Sequence, residues 1–395
     1  MTTLFSPIRE FFKKGDLVLL ALCLAASGYG LLLIYSATRY NGNDRAVLVQ
    51  IVAIALGIVA YVLCTFVDFQ LFIEKNWKLV FIGSVVFILL LLTPLGTDHN
   101  AGNLNWLDIP YFPMEIQPNE IVKLPFILLL SLQITKIQER GHDISSIPSV
   151  LQIGAHVAFM LALIAAVCSD MGMCVVYTVI FAVMAWSAGV RLRWFALAGS
   201  LLILTFVVLW FFILPDTAAW DNLYLIRRIR ALFDHSYDAQ GVGFQQNRSL
   251  LAIGSGQLFG QGYLNGTLTH SDYSWSLPAR HTDFIFAVCG EELGMVGCVL
   301  LLLILLLIVL RCIWVAQQAS SPFHAYVAMG MAGMLIIQIA ANVGMCLFIL
   351  PVMGLTLPFI SAGGSSIITL YAAMGIVSSI KAKALPSWLR DHQKL

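Results

Sequence analysis

The chain has 395 residues, of which 59% are hydrophobic and 11% charged, and its net charge is only +1. Soluble domains carry about 25% charged residues, disordered segments are polar, and nucleic-acid-binding proteins show a basic surface, so all three classes are excluded. An integral membrane protein made mostly of helices remains, because each span of a bilayer needs about 20 apolar residues.

Ten apolar runs predict an all-α polytopic membrane protein that forms a single domain over residues 1–395. The predicted spans are residues 17–36, 47–66, 79–93, 121–134, 150–168, 171–190, 195–214, 284–314, 326–350 and 361–380. The charged start of the chain runs into the first apolar segment without a clear cleavage site, which favours a retained first span.

The distribution of Lys and Arg orients these spans in the membrane. With both termini in the cytoplasm, most basic residues fall in inner segments, whereas the short outer loops carry only Arg39 and Arg45. This orientation places the long loop of residues 215–283, between spans seven and eight, outside the cytoplasm. The eight cysteines show no spacing typical of a metal site, so we interpret them as packing residues.

The long outer loop is expected to be functional, since loops of such length without structure of their own are uncommon. Near its start, Ile226, Ile229 and Phe233 recur at helical spacing, which predicts a short basic amphipathic helix at the membrane interface. Its arginines either bind phosphate groups or anchor the helix to anionic lipid, and both interpretations stay open. These arginines are Arg227, Arg228 and Arg230.

Residues 241–262 of the same loop are rich in glycine and contain a further cation, Arg248. The segment lacks the Gly-Lys-Ser/Thr ending of a P-loop, so no nucleotide site is predicted.

Asp283 lies at the mouth of a very hydrophobic predicted helix, two residues after His281, and Glu291 and Glu292 lie further in. Ionisable residues at membrane depth are candidates for function. A carboxylate at the start of a helix can also be a simple cap. Burial would raise the pKa of Asp283 and make it a usable base, whereas a nearby cation or metal would keep it ionised.

Other polar residues near the predicted outer ends of spans have both structural and functional interpretations. Trp106 is either an interface anchor or part of a site, and Glu120 and Lys123 can pair at i, i+3 on one face of a helix. Asp170 is a residue of a short turn or of a cavity. The segment 342–366, which contains Ser365, is broken by proline and glycine, and irregular backbone at membrane depth is typical of a cavity lining or of a plain turn.

The segments 117–123, 252–262, 277–294 and 342–366, in this order, resemble the SEDS family of bacterial cell-wall polymerases (shape, elongation, division and sporulation proteins). The resemblance covers essentially the whole chain. The stretch Leu-Pro-Ala-Arg-His-Thr-Asp-Phe-Ile-Phe-Ala, residues 277–287, is most similar to the RodA-like elongation branch.

The resemblance implies a peptidoglycan glycosyltransferase of the bacterial cytoplasmic membrane that polymerises lipid II outside the cell with inversion at the anomeric carbon. It also implies a class B penicillin-binding protein and the elongation machinery as partners and dependence on a divalent cation, Mg or Mn. No nucleotide and no nucleic-acid partner are expected.

The family motifs assign roles to individual positions of this chain. The essential loop aspartate falls on Asp283, as base or metal ligand, and the tryptophan of the first large outer loop falls on Trp106. The Gln-Pro-Ser-Glu-x-x-Lys motif falls on Glu120 and Lys123, and the Asp-Leu-Gly aspartate falls on Asp170. As further substrate-binding or cavity candidates we take the loop arginines with His281 and Ser365, namely Arg227, Arg230, Arg248, His281 and Ser365.

The chain departs from the family pattern at several of these places, so detailed substrate contacts are expected to differ there. Asn105 stands where a basic residue usually precedes the tryptophan, and Arg248 stands where glutamine is usual. Asn119 replaces a serine, and Met353 and Ala362 replace a threonine and a tyrosine.

Two other functions remain as alternatives. A transporter such as a lipid II flippase would also use polar residues and broken helices within the membrane, and a non-catalytic scaffold would only hold a penicillin-binding protein. The candidate residues gather on the predicted outer side, which favours chemistry at that surface over a path through the bilayer.

Overall fold

The computed structural model describes residues 11–39, 42, 45–98, 103–110, 114–208, 211, 228, 230, 232, 243–273 and 275–384. Long helices dominate these residues. They are α1 (Leu17–Thr38), α2 (Arg45–Phe66), α3 (Phe69–Leu89), α4 (Pro118–Glu139), α5 (Ile147–Cys168), α6 (Met171–Ser187), α7 (Leu192–Val208), α8 (Phe244–Gly256), α9 (Ile285–Gln317), α10 (Pro322–Cys346) and α11 (Gly364–Ala382).

Each of the ten predicted spans overlaps one of the helices α1–α7 and α9–α11, while α8 lies within the predicted outer loop. Among the described residues, seven helices are long and apolar enough to cross a membrane, and α6 and α7 are shorter but apolar. The prediction of an all-α membrane protein is therefore confirmed, whereas the number of crossings stays a prediction.

Two helices have bounds or bends that hydropathy did not predict. Helix α3 begins at Phe69, ten residues before the predicted span, because the carboxylate of Asp68 caps it by accepting from the Leu71 N–H at 3.1 Å. Its first turns are polar, so an apolar window misses them. Helix α9 is bent at Gly294, where φ is +66°.

The bend in α9 is filled by backbone of the long loop between α7 and α9. Gln257 and Leu258 accept hydrogen bonds from the N–H groups of Met295 and Val296 at 2.9 and 3.1 Å. A Cβ atom at Gly294 would collide with the backbone of Leu258 and Gly260. The positive φ and the close approach both require glycine at this position.

Helices α4, α10 and α11 are the most buried, and α11 packs along α2 while α9 packs between α1 and α10. Helix α7 buries no residue and lies at the periphery. The exposed side chains of α1–α3 and α7 are largely apolar, as expected for a surface that faces lipid. The eight cysteines are all free.

A buried cluster of charges joins the start of α1 to α9 and α11. Arg311 of α9 donates to both carboxylate oxygens of Asp16 at 2.9 Å, and Lys381 of α11 lies 3.7 Å from the same carboxylate. We call this end of the bundle the Asp16 end. The opposite end, where α9 begins, is the Asp283 end.

A small β-hairpin lies at the Asp283 end, just before α4. Strand β1 (Gly96–Thr97) pairs antiparallel with β2 (Trp106–Leu107), so that Thr97 faces Trp106. Leu107 exchanges backbone hydrogen bonds with Ile116 at 2.8 and 3.1 Å. The hairpin thereby fixes Trp106 beside the start of α4.

Candidate functional site at the Asp283 end of the helices

Asp283 lies two residues before α9 and is anchored through its backbone. The side-chain amide of Asn342 donates to the Asp283 carbonyl at 2.9 Å and to the Leu355 carbonyl at 2.7 Å. Ser361 donates its hydroxyl to the Thr282 carbonyl at 2.7 Å. The segment before α9 is therefore held against the irregular segment between α10 and α11.

The carboxylate of Asp283 is half-buried and open to a ligand. Within the part of the chain that the structure describes, no donor lies within hydrogen-bonding distance of its oxygens. Its Oδ2 lies 4.0 Å from the ideal Cβ position of Gly354, and we call the space around this carboxylate the cleft. A side chain at residue 354 would narrow the space in front of the carboxylate.

Burial raises the pKa of Asp283 to about 6. The Arg228 guanidinium opposes this rise and Asp170 adds to it, so these three charges share one electrostatic environment. Arg228 is held nearby because it donates to the Val352 carbonyl. A carboxylate with such a pKa is ionised at pH 7 yet basic enough to accept a proton.

Glu120 and Lys123 form a buried ion pair in the first turn of α4. The Lys123 ammonium lies 2.7 Å from Glu120 Oε2, and Ser366 of α11 donates to the same oxygen at 3.3 Å. Since one partner alone would be an uncompensated buried charge, each needs the other. The pair thus joins α4 to α11.

Asp170 caps α6 and receives two hydrogen bonds. Its carboxylate accepts from the Met173 N–H at 2.9 Å and from the Asn105 side-chain amide at 2.7 Å. Burial raises the pKa of Asp170, and the Glu120 charge adds to the rise. Asp170 thus lies in the short turn between α5 and α6, which is one of its two predicted alternatives, and its role in a cavity stays a prediction.

Two buried polar atoms beside Asp170 have no hydrogen-bond partner among the described residues. They are Asn105 Oδ1 and Asn119 Nδ2. Both belong to positions where the chain departs from the family pattern. Unpaired buried polar atoms are rare, so these two amides are candidates for contact with water or a ligand.

The remaining candidates are divided between the cleft and its surroundings. The hydroxyl of Ser365 accepts from the Gln117 N–H at 3.3 Å, next to the Glu120 pair. The carbonyl of His281 accepts from the Ala362 N–H at 2.9 Å, and burial lowers the pKa of its ring, which is therefore neutral at pH 7. Trp106 is half-buried on β2.

Arg248 lies on α8 and stacks over the rings of Phe244 and Trp275 at 5.2 and 5.6 Å. No contact in the described residues brings it to Asp283. Arg230 is half-buried in the loop, and Arg227 lies outside the described residues, as does most of the predicted amphipathic helix. The substrate-binding roles of these arginines stay predictions.

Glu291 and Glu292 are buried and hydrogen-bonded to neighbouring segments of the chain. Glu291 accepts hydrogen bonds from Thr267, from the Leu268 N–H and from both donors of Thr269, at 2.6–3.1 Å. Glu292 accepts from the Ser36 hydroxyl at 2.6 Å and lies 2.8 Å from His270 Nε2. The two carboxylates fix the outer loop to α1 and α9.

Sequence reasoning did not single out Asn342 or Ser361 as site residues. Asn342 was visible as an amide inside an apolar predicted span, which is a signal because such a residue needs partners. The partners themselves could not be read from the sequence.

Arg280 is buried and donates to carbonyls of the loop, including Leu277 at 3.0 Å and Tyr273 at 3.1 Å.

A divalent cation would have few protein ligands at this site. Among the described residues, no group of three or more His, Cys, Asp or Glu side chains is placed to hold a metal. Mg²⁺ commonly uses only one or two carboxylates and takes its other ligands from water and substrate phosphate. Asp283, open on both oxygens, fits that mode.

The chain is similar along its length to known proteins. It matches the FtsW/RodA/SpoVE family, described as cell cycle proteins, over residues 17–385. It is 32% identical to the peptidoglycan glycosyltransferase MrdB of Escherichia coli over 377 residues, which are 94% of this chain and 95% of that one. It is 30% identical to the probable peptidoglycan glycosyltransferase FtsW of Trichlorobacter lovleyi over 385 residues, or 95% and 96% of the two chains.

Solved structures agree with this relationship. A chain from "Structural coordination of polymerization and crosslinking by a peptidoglycan synthase complex" matches with a TM-score of 0.75 and 27% identity, over 93% of this chain and 97% of that one. The rod shape determining protein RodA of Thermus thermophilus shares the fold, with a TM-score of 0.66 and 24% identity over 94% and 98% of the chains. This chain therefore belongs to the FtsW/RodA/SpoVE family.

Proposed function

We propose that this chain is a peptidoglycan glycosyltransferase of cell elongation, which polymerises lipid II into glycan strands on the outer side of the bacterial cytoplasmic membrane. The observation that carries the proposal is the carboxylate of Asp283. This carboxylate is half-buried and has no hydrogen-bond donor on either oxygen among the described residues. Burial raises its pKa to about 6, and the Arg228 guanidinium acts on it electrostatically. The relatives of the chain are named peptidoglycan glycosyltransferases.

In the proposed reaction, a sugar hydroxyl of the acceptor attacks the anomeric carbon of the donor. The new bond forms between that hydroxyl oxygen and the carbon, and the bond from the carbon to the lipid pyrophosphate breaks. Asp283 accepts the proton of the hydroxyl. Attack from the face opposite the leaving group inverts the anomeric configuration.

The leaving pyrophosphate needs positive charge near it. Arg228 supplies a guanidinium in the electrostatic environment of Asp283, and guanidinium geometry matches phosphate oxygens. Arg227, Arg230 and Arg248 are further candidates along the substrate. The Glu120–Lys123 pair and Asp170 act as the floor and wall of the cleft and hold α4, α6 and α11 in place.

A divalent cation, Mg²⁺ or Mn²⁺, would be held by Asp283 and would neutralise charge on the pyrophosphate. In that case Asp283 would be a metal ligand and not the base, so the two roles are alternatives. The activation of the donor lies in its pyrophosphate, so the reaction requires no nucleotide.

We further propose a class B penicillin-binding protein as the partner that cross-links the strands, within the elongation machinery of the cell. A related chain comes from a peptidoglycan synthase complex, which supports this proposal. The excess of basic residues at the Asp16 end supports cytoplasmic termini.

The test compares Asp283→Asn with wild type in purified protein supplied with lipid II and Mg²⁺. We expect polymer formation to fall at least 100-fold, since a general base contributes about 10²–10⁴-fold. Asp272→Asn is the matched control, because Asp272 is an exposed acidic residue of the same loop. Polymer formation by Asp283→Asn at the wild-type rate would overturn the proposal.

A second arm of this experiment separates the two roles of Asp283. Wild-type activity that persists in excess chelator excludes the role of Asp283 as a metal ligand and leaves its role as a base.

A parallel translocation assay in proteoliposomes addresses the flippase alternative, which predicts lipid II transport that depends on Asp283 without polymer formation. Intact function of Asp283→Asn in cells would favour the scaffold.

A further inference from the structure

A separate cavity lies between α3, α4 and α5, toward the Asp16 end and away from Asp283. Its volume is about 540 Å³, within the range of about 300–1,000 Å³ that small-molecule sites occupy. Glu120 of the Asp283 cleft and Lys136 of this cavity are 16 residues apart on α4, or roughly 24 Å along the helix axis. The cavity is therefore a different site.

The face of α4 that lines the cavity changes from basic to apolar with depth. Arg140, Lys136, Gln133 and Leu129 line it, at spacings that place them on one side of the helix or of its end. Along the helix, Arg140 is nearest the Asp16 end and Leu129 is farthest from it. The sequence of charge, amide and hydrocarbon matches the phosphate, ester region and acyl chain of a phospholipid.

The two cations at the mouth of the cavity have no acidic partner in the described residues. No carboxylate lies within 4.0 Å of Lys136 or Arg140, whereas Arg191 and Lys383 at the same end of the bundle each pair with an aspartate. Lys136 is half-buried. A partly buried ammonium without a counter-ion favours an anionic occupant.

A third observation comes from the apolar part of the cavity. The ring of His156 lines it, between the rings of Phe81 and Phe126. Its Nδ1 lies 3.0 Å from the side-chain oxygen of Gln133, which makes Nδ1 the donor and Nε2 an acceptor. Nε2 is buried and has no partner in the described part of the chain. An unpaired acceptor is costly, so the site favours an occupant that brings a hydroxyl group or water with it.

We infer that this cavity binds an anionic glycerophospholipid from the leaflet at the Asp16 end, with its phosphate between Lys136 and Arg140 and an acyl chain against Phe81, Leu129 and Leu132. Basic pockets between transmembrane helices are suited to anionic head groups. The positive charge at the mouth of the cavity favours an anionic phospholipid over a zwitterionic one. The inference does not depend on the proposed enzymatic activity.

The experiment is native mass spectrometry of the full-length chain in detergent, titrated with phosphatidylglycerol or with phosphatidylcholine of the same chains. We expect wild type to retain phosphatidylglycerol more tightly than phosphatidylcholine. In Lys136→Gln/Arg140→Gln, we expect phosphatidylglycerol binding to weaken about 30-fold, from the contribution of two basic residues near an anionic head group, and the preference to disappear.

The matched control is Lys13→Gln/Arg193→Gln, which removes the same charge from two exposed basic residues that do not line the cavity. It should bind phosphatidylglycerol as wild type does. Equal binding by the cavity variant and the control would overturn the inference, as would equal binding of the two lipids by wild type. If the double variant does not fold, the single variant Lys136→Gln replaces it, and we expect a smaller loss of phosphatidylglycerol binding.

Undecaprenyl phosphate is titrated in the same way, because a lipid carrier also joins phosphate to hydrocarbon. Tighter binding than phosphatidylglycerol, lost in Lys136→Gln/Arg140→Gln, would overturn the assignment to a glycerophospholipid. Weaker binding supports it.

Discussion

At the scale of single residues, Asp283 and Glu291 show how two acidic groups nearby in the sequence take different roles. Glu291 is fully buried, and its carboxylate is saturated by donors from residues 267–269. The oxygens of Asp283 face the cleft, and only its backbone is fixed, by Asn342. A carboxylate whose backbone is held and whose oxygens are unoccupied is ready to bind a substrate or an ion.

The pKa of Asp283 predicts the pH dependence of the reaction. The base must be ionised, so kcat/KM should rise with pH through about 6 and level off above it. Arg228→Gln removes the cation that lowers this pKa, so the inflection should move to higher pH. The measurement is kcat/KM for lipid II polymerisation against pH, with the exposed outer Arg39→Gln as control. An inflection that is the same in Arg228→Gln and wild type would contradict this account.

Asn342 is predicted to act as a positioning residue. Asn342→Ala removes the two hydrogen bonds that link Asp283 to Leu355, and we expect kcat to fall about 10–100-fold, since small misplacements of a reacting group have such effects. The protein should still fold and retain substrate binding. Gln338→Met, one turn earlier on α10, is the control, because no hydrogen bond of the described residues joins Gln338 to these loops. A change confined to KM would argue against positioning.

At the scale of elements, the bend in α9 and the loop that fills it form one unit. The loop backbone around Gln257–Gly262 accepts and donates the hydrogen bonds that a continuous helix would make internally. Glu291 and Glu292 hold the following part of the same loop, through Leu268 and His270. The start of α9, and with it Asp283, is therefore positioned by the loop as well as by the membrane helices.

Gly294→Ala should disrupt this unit. The substitution places a Cβ atom against the backbone of Leu258 and Gly260 and forces alanine to adopt a φ of +66°. We expect a loss of stability of about 1–3 kcal/mol or more, seen as a lower Tm in detergent. Gly254→Ala, on α8 with open space around its Cβ position, should instead be neutral or stabilise by up to about 1 kcal/mol. Equal Tm values for the two variants would show that the bend tolerates a side chain.

Hydropathy predicted the positions of the long helices because each apolar run must be helical in a bilayer. It could not predict the polar start of α3 or the bend at Gly294, because a cap and a loop contact decide them. The candidate residues of the site were identifiable from motifs and from charge at membrane depth. Their convergence was not, since contacts such as Asn105 with Asp170 join residues 65 apart in the chain.

At the scale of the whole molecule, the two ends of the bundle are stabilised differently. The Asp283 end is held by many hydrogen bonds from loops, and its polar groups are open in places. The Asp16 end is closed by the bidentate pair of Asp16 and Arg311, reinforced by Lys381 and by Tyr61, which donates to the Asp16 carbonyl at 2.7 Å. Stability and reactivity are thus concentrated at opposite ends.

Asp16→Asn should destabilise the whole bundle, because it leaves the Arg311 guanidinium without its charge partner. Breaking a buried pair costs about 3–5 kcal/mol, and the Asp16 side chain is 0% exposed. Asp143→Asn is the control, because the Asp143–Arg191 pair is 52–58% exposed and such pairs contribute about 0–1 kcal/mol. Unfolding in a denaturing detergent measures both. Similar losses in the two variants would contradict a structural role for the Asp16 pair.

The link from Asp16 to Lys381 also constrains how the chain is assembled during synthesis. At roughly 5–20 residues per second, the ribosome needs about 20–70 s to proceed from residue 16 to residue 381. Over that interval the first helix lacks α11, and the Asp16 carboxylate lacks Arg311 until α9 has been made. Helix α2 also lacks its packing partner until α11 has been synthesised. We therefore expect nascent chains stalled before residue 364 to leave α1 and α2 accessible to insertion chaperones, and site-specific crosslinking of such chains would measure this directly.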